Sequence, residues 1–250
     1  MGEEPGDTSL SGTLQWAIQR MGKAGYPITS KVTVEVDPDL KIMGYAKSDG
    51  GEHSIVIAEW ALDSEMFGGL ILHELAHIYH TEQGSPSHVS NVVDDVLREA
   101  TERDGLNERE SAALVDVFSH LQNIIVDDIV FASMSGRELK QAQRFFADWV
   151  SERPSGDSVV DAVLLVRNAF AVASLRRRGL TEGVEEMQAK NAKYLSFYGE
   201  QGQEQFNEVE SFLEKARADW DEAEFRVALI AYFDMVLGLM KERKGLRDLR

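Results

Sequence analysis

Residues 69–80 read GLILHELAHIYH, an apolar run into which His73, Glu74 and His77 are set. Every residue from Met66 to Leu72 is uncharged, as are Leu75, Ala76, Ile78 and Tyr79. A helix apolar on all sides belongs inside a protein. An unpaired buried charge costs several kcal/mol, so the two imidazoles and the carboxylate must find partners there. Histidines four apart share one helix face, so His73 and His77 can offer ring nitrogens to one metal ion, with Glu74 beside it. The alternative is a hydrogen-bonded core contact without metal.

Composition narrows the chemistry. The 250 residues carry a formal net charge of −17 and no cysteine. Acidity of that size disfavours nucleic acid as a partner. Without thiolates, any transition metal must be held by His, Asp, Glu or backbone. The opening MGEEPGDTSLSG lacks an apolar signal core, and no stretch supplies the roughly 18 uninterrupted apolar residues of a membrane span, so a cytoplasmic chain with no membrane partner is expected.

Leu14, Ile18 and Met21 form one stripe and predict a helix over 10–23, stopped at Gly25-Tyr26-Pro27. Strands are expected at about 31–36, 41–47 and 53–60, separated by Asp37-Pro38-Asp39 and Asp49-Gly50-Gly51 turn chemistry. The motif helix should run from about 64 to 82, capped by Asp63 or Ser64 and ended at Gly84. Beyond Pro86 only helical periodicity is seen, broken at Asp104-Gly105, Arg153–Gly156 and Gly199–Gly202.

Residues 53–80, a strand HSIVIAEWAL, a short turn and a helix bearing HELAH, resemble the zincin metallopeptidases. The resemblance implies an α+β, mainly α fold with a zincin-like core. That core has a small N-terminal antiparallel or mixed sheet, active-site helices and an all-helical C-terminal half. A boundary is expected near Pro154, because amphipathic helices alone follow it, giving a zincin-like core over 1–152 and a helical region over 153–250 packing on it, able to lid a cleft. The resemblance makes His73 and His77 zinc ligands and Glu74 the general base that activates a zinc-bound water for peptide hydrolysis. The strand near Ile55–Ala58 would line the cleft and pair with an extended peptide or protein substrate. The metzincin continuation is absent, because His80 and Gln83 stand where Gly and His would follow His77.

A catalytic zinc typically takes three protein ligands. The segment NERESAALVDVFSHLQNIIVDDIVFASM reads as an apolar helix capped by Asn107 with Glu110 at the third position. Asp116, His120, Asn123 and Asp127 fall on one stripe of it. In gluzincins the corresponding helix carries Glu-x-x-x-Asp, with Glu as ligand and Asp orienting a ligand histidine; here the frame is Asn123-x-x-x-Asp127, as in certain predicted prokaryotic metallopeptidase domains. Asp127, the anionic member, is taken as the third ligand, supported by Asn123 or His120. Asp128 points about 100° away, Glu99 is the alternative ligand, and His80 extends the histidine face by a turn. His53 and His88 carry no spacing argument, and Tyr45 and Tyr79 serve an oxyanion only if geometry allows.

Two other readings compete with a zinc peptidase. One is a catalytically silent zincin-fold metal-binding protein acting as a binding or regulatory module. The other is a di-iron bundle, for which Glu74-x-x-His77 is half of the signature and a second Glu-x-x-His is missing.

Overall fold

The structure, a computed structural model, describes residues 9–88 and 90–248. The acidic start of the chain, residues 1–8, lies outside them. Two compact units form, and each is discontinuous in sequence: residues 1–88 with 126–142, and residues 89–125 with 143–250. The boundary expected lay near residue 152; the division between these compact units falls within two helices, α4 (Glu108–Ser133) and α5 (Gly136–Trp149). Continuous helices carry no Pro or Gly signal at such points, which is why composition does not reveal them.

The first unit opens with α1 (Leu10–Lys23), whose N-cap Ser9 accepts from Gly12 N–H. Three strands follow, β1 (Val32–Asp37), β2 (Gly44–Asp49) and β3 (Glu52–Ala58). Their order is β1-β3-β2, with β1 parallel and β2 antiparallel to β3. As the central strand β3 is buried on both faces, which accounts for its unbroken Ile55-Val56-Ile57-Ala58 run. Ile55 pairs with both Val34 and Ala46. The strand expected to pair with substrate is thus saturated on both sides, and β2 is the sheet edge that packs on the motif helix.

That helix is α2 (Phe67–Glu82). Neither expected residue is its N-cap: Met66 holds that position, while Ser64 Oγ accepts from Met66 N–H and closes the turn before it. Its C-terminus is as expected, ending in Gly84 at φ +65°, a conformation costly for a side chain with a Cβ. Ile71, Leu72, Leu75, Ala76 and Ile78 are fully buried against Leu14, Ala17 and Met21 of α1, Ile55 and Ile57 of β3, and Val126, Ile129 and Val130 of α4. Glu82, in the last turn, accepts from Thr29 and Ser30 N–H and ties the loop before β1 to α2. Leu75→Ala is expected to cost about 2–5 kcal/mol in chemical unfolding; a loss below about 1 kcal/mol would mean that α2 is not the buried centre of this unit.

The second unit is helical among its described residues: α3 (Ser90–Asp104), the first part of α4, the end of α5, α6 (Ser158–Arg176), α7 (Glu185–Ser196), α8 (Gly199–Glu214) and α9 (Glu222–Asp248). The capping box of α4 is formed, with Asn107 Oδ1 accepting from Arg109 and Glu110 N–H and Glu110 accepting from Asn107 N–H. The break expected over Gly199–Gly202 lies earlier, because α8 starts at Gly199 and runs through Gly202. α6 packs on α8 and α9, with Phe170, Tyr194, Phe225 and Tyr232 fully enclosed or nearly so. By length and composition α6 could cross a membrane, but 67% of its apolar window is buried inside the fold. The fold class is α+β and mainly α, with a small mixed sheet.

Candidate metal centre

The i, i+4 spacing on α2 brings the two motif histidines together. His73 Nε2 and His77 Nε2 are 3.2 Å apart, with the rings nearly perpendicular. One proton can join two nitrogens at this distance. It also suits one tetrahedral zinc ion, whose nitrogen ligands at 2.0–2.1 Å stand about 3.3 Å from each other. Both histidines are partly open to solvent, whereas the residues between and around them are closed.

Glu74 is 5% exposed. Burial raises its pKa, while nearby His73 and a hydrogen bond from Ala46 N–H on β2 act the other way. The β2–α2 contact thus ties the carboxylate to the backbone of β2. A glutamate held above its usual range, beside an imidazole pair, is suited to exchanging protons.

Asp127 is 4% exposed, and its Oδ1 lies 3.0 Å from His73 Nδ1. The two nitrogens of an imidazole point away from each other. A carboxylate on Nδ1 is therefore on the far side of the ring from anything held by Nε2. Asp127, expected as a ligand, here meets His73 Nδ1, where a carboxylate accepts from the Nδ1–H tautomer and can orient the ring. Asn123 consequently stands, in sequence, where the Glu-x-x-x-Asp frame has its ligand.

Asp116, His120 and Asn123 belong to the second unit. His120 stacks on Phe170 with centroids 5.1 Å apart, and burial, with like-charged Arg167 nearby, lowers its pKa to about 4. Glu99 is exposed on α3 and bonded to Arg226. Asp128 faces His80, on which it exerts a charge effect. His80 is neither a cleft nor a surface residue: it is 4% exposed, with Nδ1 3.1 Å from Ser85 Oγ, and burial lowers its pKa to about 4. Tyr79 packs edge-on against Tyr26, and Tyr45 is exposed on β2. His53 is buried beside Ser48 Oγ, 2.7 Å from its Nδ1.

Sequence reasoning passed over His88. Its Nε2 is 2.9 Å from His77 Nδ1, and its Nδ1 is 3.0 Å from Ser87 Oγ. The signal available was Gly84 followed by Ser-Pro-Ser-His, a reversal that returns the chain over the end of α2.

Among the described residues, no group of three or more His, Asp or Glu side chains is arranged to hold a metal ion. The donor set fits a metal through two nitrogens, each with a partner on its other ring nitrogen. A third protein ligand is not formed by these side chains.

The chain belongs to a family of unknown function (DUF5781), whose model matches residues 17–232. No curated protein and no solved structure matches it.

Proposed function

We propose that the protein is a metal-dependent peptidase, with His73 and His77 holding zinc through Nε2 and Glu74 acting as the base. The observation that carries this reading is the 3.2 Å approach of the two Nε2 atoms, with Asp127 fixed on the opposite nitrogen of His73. When bound, zinc polarises a carbonyl and lowers the pKa of a water. Glu74 takes the proton of the attacking water and hands it to the leaving amine. Ala46 N–H holds the carboxylate in place during both transfers. Asp127 keeps His73 in one tautomer. The exposed edge of β2, next to Glu74, is the strand available for backbone pairing with an extended peptide.

A second reading has its own support. With two nitrogens and, among the described residues, no third side chain of the usual types, and with amide Asn123 in the ligand place of the frame, a metal-binding module without hydrolysis fits the same residues. Zinc-loaded full-length protein incubated with a peptide mixture separates the two: cleavage that stops on chelation supports the peptidase, and stoichiometric zinc without cleavage supports the module.

Asp127→Asn tests the orienting role in either case. It is expected to weaken zinc affinity about 10 to 100-fold, measured by competition with a chromophoric chelator. Complete loss of zinc by a folded Asp127→Asn chain would make Asp127 a direct ligand instead.

A further inference from the structure

We propose that His88 is the positioning residue for His77, and that its imidazole keeps His77 hydrogen-bonded both with and without a metal ion on the Nε2 pair. This rests on reading His73 and His77 as that pair.

The ring of His88 is fixed from several sides. After α2, Gly84 at φ +65° reverses the chain, and a 3-10 turn over Pro86–His88 follows, with His88 N–H donating to Ser85 C=O at 2.8 Å. The ring then stacks on His80, centroids 5.1 Å apart and planes 17° from parallel. His80 is in turn pinned to Ser85. In this position Nε2 meets His77 Nδ1 at 2.9 Å and Nδ1 meets Ser87 Oγ at 3.0 Å.

Proton directions follow from what each partner can do. A carboxylate only accepts, so a neutral His73 carries its proton on Nδ1 and has its Nε2 unprotonated. Without metal, the 3.2 Å approach requires His77 to donate from Nε2. Its Nδ1 is then an acceptor, His88 donates from Nε2, and His88 Nδ1 accepts from the Ser87 hydroxyl. With a metal ion both Nε2 atoms must be bare. His77 then carries its proton on Nδ1 and donates to His88 Nε2, and His88 carries its own on Nδ1 and donates to Ser87 Oγ. Each ring holds one proton in both states; the His77–His88 and His88–Ser87 bonds survive with their directions reversed, the His73–Asp127 bond is unchanged, and the Nε2–Nε2 bond gives way to the metal.

A carboxylate or backbone carbonyl in place of His88 would accept only, and so would fit the metal-loaded state alone. Imidazole and hydroxyl both donate and accept. The two halves of the pair are therefore unlike: His73 keeps one tautomer throughout, and His77 changes tautomer on loading.

The test uses full-length protein labelled with 15N in histidine, zinc alone as the probe, and His88→Ala and His88→Gln beside the unsubstituted chain. Ring-nitrogen NMR should show His77 and His88 both passing from Nε2–H to Nδ1–H on addition of one equivalent of zinc, with His73 unchanged. His88→Ala should bind zinc about 10 to 100-fold more weakly. His88→Gln, whose amide can also donate or accept, should recover most of that loss. Unchanged affinity in His88→Ala, or a Gln variant no better than the Ala variant, would overturn the assignment. If the unsubstituted chain takes up no zinc, the metal reading falls separately. The metal-free spectra then decide His88: a His77 Nε2–H form that becomes a tautomer mixture in His88→Ala supports it, and identical spectra reject it.

Discussion

His77→Ala is expected to abolish stoichiometric zinc binding while leaving the chain folded. The substitution removes one of two nitrogens, so the loss should exceed the roughly 10 to 100-fold that follows from removing an orienting partner. His77 is partly exposed and lies at the surface of α2, away from the fully buried Leu75, Ala76 and Ile78. Thermal unfolding should accordingly change little. His73→Ala should lose zinc equally but cost more stability, because it strands the Asp127 carboxylate, 4% exposed, without its imidazole. An unsatisfied buried group of that kind costs about 1–3 kcal/mol or more. Equilibrium dialysis with zinc, paired with thermal melts, reads both quantities. Full zinc retention by either folded variant would remove the central claim.

Glu74→Gln is expected to keep zinc and lose peptide hydrolysis by about 100 to 10,000-fold, the range ascribed to a positioned general base. The amide has nearly the shape of the acid, and its carbonyl oxygen can still accept from Ala46 N–H, so α2 and β2 should stay packed. What it lacks is the capacity to take a proton from water. Burial already disfavours the charged form of Glu74, so a neutral amide should not lower the melting temperature. Turnover on peptides, measured beside zinc content, checks this. Unchanged turnover at equal zinc content would end the general-base assignment.

Much of the framework is legible in local pattern. The stripe of Leu14, Ile18 and Met21 marks α1 from Leu10 to Lys23, and Asn107 with Glu110 marks the start of α4. The pair His73 and His77 follows from helical periodicity alone. What the pattern does not carry is topology: Ile55–Ala58 reads as an apolar strand whether central or at an edge, and only the parallel return of β1 makes it central. Nor does periodicity say which ring nitrogen a partner meets. It brings Asp127 to the motif yet leaves open whether the carboxylate reaches a metal or the back of His73. His88 depends on a glycine-led reversal after α2, a three-dimensional return with no periodic mark, and Glu74's partner Ala46 depends on strand packing in the same way.

The most direct measurement is an anomalous difference map at the zinc absorption edge from crystals of the zinc-loaded full-length chain. One peak is expected about 2.1 Å from both His73 Nε2 and His77 Nε2, with Asp127 still on His73 Nδ1. A zinc-loaded crystal with no peak at this pair, or with the ion held by other residues, would contradict the assignment of His73 and His77 as the metal pair.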